Sequence, residues 1–220
     1  MVQMIKRRGF LGKVVAAVAG SLALGGCINQ GGKKNGDPIE DEKRAVPGNK
    51  LTENRAMPRD LVMRLLDQKA SNYMHISYNC AQSSFLALQE QFGLPGEDVL
   101  KALTPLTGIA ERGETCGAVT GSLMIFGLIY GRGKTQLGDW DRYRSSLIPA
   151  GKFCGIFEKQ YGSTMCCNIQ QKKYGRCFHL TRPDELKAFQ EAGATDKCTT
   201  VVQSAVRTAA GIILDDKNAV

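Results

Sequence analysis

Cysteine is the residue type through which this sequence could do chemistry: eight occur in 220 residues, at positions 27, 80, 116, 154, 166, 167, 177 and 198. The thiolate rather than the thiol attacks disulfides and ligates metals. Four positions share a setting that favours it. Cys80 follows Asn79, Cys116 follows Thr115, Cys166 lies three after Ser163, and Cys198 lies two after Asp196. Asn, Thr, Ser and Asp are all favourable helix N-caps. The spacing therefore predicts four thiols in the first turns of four helices, where the macrodipole and free backbone N–H groups favour negative charge. Cys154 and Cys177 have no such setting and read as buried residues or staples. Apart from Cys27, seven cysteines remain. An odd number leaves one thiol over or joins two chains, so a homodimer is an admissible partnership.

Three kinds of protein use such residues. Four thiolates can ligate an iron–sulfur cluster, whose usual ligand set is four cysteines. They can instead cycle between paired and free states in thiol–disulfide exchange. They can also be structural staples in a non-catalytic protein. Other chemistry finds little support. His75 and His179 are the only histidines. No C-x-x-C-H occurs, so no c-type haem is expected, and no C-x-x-C occurs either. There is no zincin helix, P-loop, nucleophile elbow or Ser–His–Asp set. Gly131-Arg132-Gly133-Lys134 lacks phosphate-loop spacing and reads as an exposed turn. Glu111, Arg112 and Glu114 flank Cys116 and read first as a solvated charge run, secondarily as groups that tune its thiol.

The elements that must position these residues are helical. Leu61, Val62, Leu65 and Leu66 form an apolar face behind Pro58, which suits a helix start. A helix is predicted over Asn79–Phe92, with Phe85, Leu88 and Phe92 inward and Gly93-Leu94-Pro95 as its stop. A short one follows around Glu97–Leu106. The apolar stretch Cys116–Tyr130 contains Gly117, Gly121 and Gly127, each costing about 1 kcal/mol of helix propensity relative to Ala. Gly117 and Gly121 are accordingly candidates for close approach by a cofactor or another backbone. Asp139 caps a long helix expected to carry Trp140, Tyr143, Leu147, Phe153 and Phe157 on one stripe, bent near Pro149. Further helices are expected after Ser163, around Asp184–Phe189 and over Asp196–Leu214. The fold class expected is all-α, a bundle of six to eight helices.

The cysteine contexts carry a resemblance. Asn79-Cys80-Ala81-Gln82-Ser83, the run Gly113 to Gly121 containing Cys116-Gly117-Ala118-x-x-Gly121, Gly162-Ser163-Thr164-Met165-Cys166, and Cys198 before an Ala/Val helix together resemble the C_GCAxxG_C_C family. Its members are described as redox-active, with four characteristic cysteines. The resemblance covers roughly residues 60–215 and places those cysteines on Cys80, Cys116, Cys166 and Cys198, with Cys167 adjacent to the match. The domain is also similar to the haem-free part of split-Soret cytochromes c. Residues 80, 116, 166 and 198 are thus the candidate catalytic or metal-ligating set.

The N-terminus reads as an address. Lys6, Arg7 and Arg8 precede Phe10 and Leu11 in the order R-R-x-F-L, and an apolar run follows from Val14 to Gly26. That run is too short for a membrane span, which needs about 20 residues. It closes on Leu24-Gly25-Gly26-Cys27, which resembles a lipobox, while the arginine pair resembles a twin-arginine signal. Twin-arginine export carries folded proteins, often with a cofactor inserted, which favours the cluster reading. Cys27 is the expected lipidation site. Removing the signal's four basic residues lowers the formal charge from +8 to +4. With no aromatic-interleaved basic patch, nucleic-acid binding is excluded.

The organisation expected is a signal over 1–27, a flexible tether over 28–57 and a helical redox domain over 58–220. The location expected is exported, periplasmic or otherwise extracytoplasmic, held to a membrane surface by a lipid anchor. The function expected is electron transfer through a cysteine-ligated metal centre to an unidentified redox partner, as a redox protein or an oxidoreductase accessory subunit. Thiol exchange and a structural lipoprotein are the alternatives.

Overall fold

The computed structural model describes residues 50–217 and Ala219; the signal, Cys27 and most of the expected tether lie outside them. Ten helices follow in order: α1 (Leu51–Ala56), α2 (Arg59–Ser77), α3 (Cys80–Phe92), α4 (Glu97–Ala102), α5 (Gly108–Glu111), α6 (Gly117–Tyr130), α7 (Trp140–Tyr161), α8 (Cys166–Tyr174), α9 (Pro183–Glu191) and α10 (Ala194–Asp215). Two 3₁₀ turns, Thr104–Leu106 and Lys134–Gln136, complete the set. The fold is all-α, with no strand element among the described residues. The count exceeds the six to eight expected because three of the helices are only four to six residues long.

At the centre lies α3, packed against α2, α6 and α10, with α7 closing over α6 and α10. Its boundaries follow from local chemistry. The Asn79 side chain accepts from the N–H groups of Ala81 at 3.0 Å and Gln82 at 3.1 Å, satisfying two of the helix's free donors. Gly93 ends the helix with φ 64°, a backbone conformation that glycine adopts without steric cost. Phe85, Leu88 and Phe92 are fully buried, as their spacing predicts.

The α3–α6 crossing is unusually close. A Cβ at Gly121 would stand 2.1 Å from the Ala81 carbonyl oxygen, and one at Gly117 would stand 2.4 Å from the Cys80 sulfur. The space beside both glycines is thus filled by α3, its backbone at Gly121 and its first thiol at Gly117. Of the two kinds of close approach expected there, the one seen is that of a neighbouring helix. Gly127 has nothing within 4 Å of its Cβ position and does no such work.

Two further expectations change. Residues 51–57 fall within the expected tether, yet Leu51 and Asn54 of α1 are buried. Asn54 donates to the Gln91 carbonyl at 2.8 Å and accepts from the Gln91 amide at 2.6 Å, so this segment belongs to the folded domain. The single stripe expected on α7 splits into two faces. Phe153 and Phe157 are buried, whereas Trp140 is 65% and Leu147 41% exposed. At 100° per residue Trp140 and Phe153 point to different sides, and the core selects the side of Phe153.

Candidate functional site

A pairing of two loops assembles the site. The amides of Cys166 and Cys167 donate to the carbonyls of Glu114 (2.6 Å) and Gly113 (2.9 Å), and the Cys116 amide donates to the Thr164 carbonyl at 2.8 Å. Thr115 and Met165 form an antiparallel bridge between them. This clamp sets the start of α6 beside the start of α8. The close crossing at Gly117 brings the start of α3 to the same point.

Cys80 occupies the first position of α3, and its sulfur lies 3.1 Å from the Thr107 hydroxyl. Cys116 is itself the N-cap of α6, a place expected for Thr115. Cys166 opens α8 behind Met165, while the Ser163 hydroxyl accepts from the Met165 amide at 3.0 Å. Cys198 departs further. Its helix starts at Ala194 behind Gly193, so it stands in the second turn, not two residues after an Asp196 cap. Tyr174 Oη approaches its sulfur at 3.6 Å.

The four thiols gather nonetheless. Cys80 and Cys116 shift each other's ionisation; Cys80 acts electrostatically on Cys166, and Cys166 on Cys116. Cys198 responds to Cys80 and acts on Cys166. Cys154 does not join. It lies half-buried on α7, its thiol raised by burial and by Glu158, with no cysteine acting on it. Cys167 is paired with Cys177 in a disulfide, which leaves Cys166 as the member of the group at this position.

Their ionisation differs from what helix starts alone predict. The hydrogen bond from Cys116, helped by the Thr107 hydroxyl and the Gly117 amide, outweighs burial and holds Cys80 down to about 7. Its partner Cys116 is raised, first by that same hydrogen bond and then by burial. Burial, with repulsion from Cys80 and Cys198, pushes Cys166 up to about 12, and burial foremost pushes Cys198 up to about 11. Three of the four therefore favour the thiol, a correction to the four-thiolate expectation. A macrodipole contributes about 1 kcal/mol at most surface sites, whereas desolvation can shift a buried group by several pKa units.

Residues that the sequence left unflagged complete the surroundings. Gln170 is 2% exposed; its amide donates to the Cys166 sulfur at 3.4 Å while its carbonyl accepts from the Phe178 amide at 2.8 Å. It lies one helical turn after Cys166, so an i,i+4 search would have found it. Thr107 and Tyr174 reach the thiols only through long-range packing. Between them, α5 runs through four consecutive positive φ values at Gly108, Ile109, Ala110 and Glu111. Its Gly108 lies where a Cβ would be 3.5 Å from the Cys166 sulfur. Glu111 acts on Cys166, while Arg112 pairs with Glu114 at 3.0 Å in an exposed ion pair. His75 turns to Ser71 and Asp196 on the exposed side of α2.

By donor chemistry four cysteine sulfurs suit an iron–sulfur cluster. Among the described residues, however, no three His, Cys, Asp or Glu side chains converge as a metal ion's ligands would. What the arrangement offers directly is one electrostatically interacting thiol pair flanked by two more partly buried thiols.

A family model described as "Putative redox-active protein (C_GCAxxG_C_C)" matches residues 78–212, more than half of the chain. The chain belongs to this family. The matched span of the C_GCAxxG_C_C family begins just before Cys80 and ends after Cys198, so all four gathered thiols fall inside it. No curated protein and no solved structure matches the chain.

Proposed function

We propose that this redox-active family member works by thiol–disulfide exchange at the Cys80–Cys116 pair. The observation that carries the reading is the α3–α6 crossing, where the Cys80 sulfur fills the space beside Gly117, the residue that follows Cys116, so that each thiol shifts the other's ionisation. Cys80 is the partly accessible member and Cys116 the buried one, at 6% exposure. An accessible, acidified thiol beside a buried neutral one suits an attacking and a resolving cysteine. The Cys80 thiolate would attack a partner's disulfide, expelling one partner thiolate and forming a mixed disulfide. Cys116 would then give up its proton and displace the partner's second sulfur. The pair ends as a disulfide, and the partner's disulfide ends as two thiols, two electrons and two protons having passed to it.

The gathering of Cys166 and Cys198 favours a second reading, an iron–sulfur centre held by Cys80, Cys116, Cys166 and Cys198. Such a group would supply one-electron transfer. Under either reading the N-terminal signal supports an exported protein with a lipid anchor at Cys27. The separating measurement is an anaerobic absorption spectrum with iron analysis, followed by thiol counting before and after mild oxidation. Colourless, iron-free protein that loses two thiols at Cys80 and Cys116 supports exchange. Stoichiometric iron with a visible band that disappears in each Cys→Ser variant of the four overturns it in favour of the cluster.

A further inference from the structure

We propose that the outer face of the first half of α7 docks onto an anionic lipid surface. Pro149, Phe153 and Phe157 turn one side of this helix into the core. The opposite side and the turn before it leave four large apolar side chains in water: Leu137 at 63%, Trp140 at 65%, Leu147 at 41% and Ile148 at 71% exposed. Helical spacing places Trp140, Leu147 and Ile148 on one flank, with Arg144 among them. Isolated exposed apolar residues are ordinary, but a contiguous set on one element marks a contact surface.

Charge decides what covers it. Residues 131–157 contain five basic residues, Arg132, Lys134, Arg142, Arg144 and Lys152, against Asp139 and Asp141. Asp139 is already occupied, its carboxylate accepting the Arg142 amide at 2.8 Å to cap the helix. An exposed Trp with Leu and Ile, ringed by Lys and Arg, is the composition of a helix lying in a membrane interface. Two copies meeting through this face would oppose their basic rims, whereas an anionic bilayer attracts them. Beside the patch lies a groove of about 610 Å³ whose near wall holds Arg142, Ser145 and Lys152, fit for a lipid headgroup. The far wall carries Asp215, bonded to Arg59 at 2.5 Å, and Asp216. This contact belongs to the folded domain and adds to the lipid anchor proposed above without depending on it.

Trp140 is the sole tryptophan, so its emission reports on this face alone. The chain as purified from its cells would be mixed with vesicles of phosphatidylcholine, with or without phosphatidylglycerol. The anionic vesicles should shift Trp140 emission to the blue, and brominated acyl chains should quench it. Raised salt should weaken both effects, and the R144E/K152E double variant should reduce the quenching of Trp140 by brominated lipid several-fold, roughly as expected for losing two basic contacts to an anionic surface. Ile148→Asp should weaken quenching with an unchanged melting temperature, since the side chain is exposed. Vesicle-bound protein whose Trp140 stays in water would overturn the docking face while leaving the anchor intact. A blue shift that grows with protein concentration without vesicles would overturn it in favour of a second copy.

Discussion

At a helix start the unpaired N–H groups favour a negative charge by about 0.3–1 kcal/mol. Burial acts in the opposite direction, and each pKa unit it imposes is about 1.4 kcal/mol. Cys166 and Cys198 follow burial, whereas Cys80 escapes it because Cys116, Thr107 and the Gly117 amide all lie against its sulfur. The sign of the consequence is definite. With its pKa lowered to about 7, Cys80 is roughly half thiolate at neutral pH, and its reactivity should fall as pH drops below that value. Iodoacetamide labelling followed by mass spectrometry should therefore find Cys80 reacting first among the free thiols at pH 7. In Cys116→Ser much of the Cys116 interaction is lost, so the labelling midpoint of Cys80 should move to higher pH and labelling at pH 7 should slow. An unchanged midpoint would show that Cys116 does not set the acidity of Cys80.

Two glycines of α6 look alike in the sequence and differ in what they allow. Gly121→Ala would drive a methyl group into the Ala81 carbonyl, and backbone cannot step aside cheaply. Overpacking of this kind costs about 1–3 kcal/mol. Gly127→Ala meets nothing within 4 Å and should stabilise the helix by up to about 1 kcal/mol. Urea unfolding of the two variants should move in opposite directions, and a neutral Gly121→Ala would contradict the close crossing. The Cys167–Cys177 staple spans a sequence separation of 10, so replacing both by Ser should cost about 2–3 kcal/mol. The labelling order of Cys80 and Cys116 should survive that change. Elements with strong local signals were legible: Asn79, Asp139 and Gly93 mark helix ends in the sequence, and the spacing of Phe85, Leu88 and Phe92 marks a buried face. The site was legible as four positions but not as chemistry. The Gly113–Thr115 clamp on Thr164–Cys167, the run of positive φ in α5 and the late start of α10 all arise from contacts far apart in sequence. Thiol ionisation follows burial, which no local pattern reports.

For the molecule as a whole, the folded boundary lies earlier than composition implies. Between residues 28 and 57 apolar residues are too sparse to signal a core. Yet α1 packs on α3 and α10, with Leu51 only 4% exposed. One apolar side chain and a reciprocal amide pair hold it there, and neither has a periodic signature. A chain that begins at residue 58 would lose Leu51 burial, worth about 1.5–3 kcal/mol. It would also leave the Gln91 amide, now donating to Asn54 at 2.6 Å, without that partner, at about 1–3 kcal/mol if it stays buried. Water entering the vacated site relieves part of the second cost, so the expected loss is about 3 kcal/mol against a chain that begins at residue 50. Both chains should remain helical by far-UV circular dichroism, because α2, α3, α6, α7 and α10 hold nearly all of the core. The shorter one should unfold at lower urea with a similar dependence on denaturant, since α1 contributes few residues to the exposed area. Equal midpoints would show that α1 rests on the domain without stabilising it, and the tether would then extend to residue 57 in energetic terms.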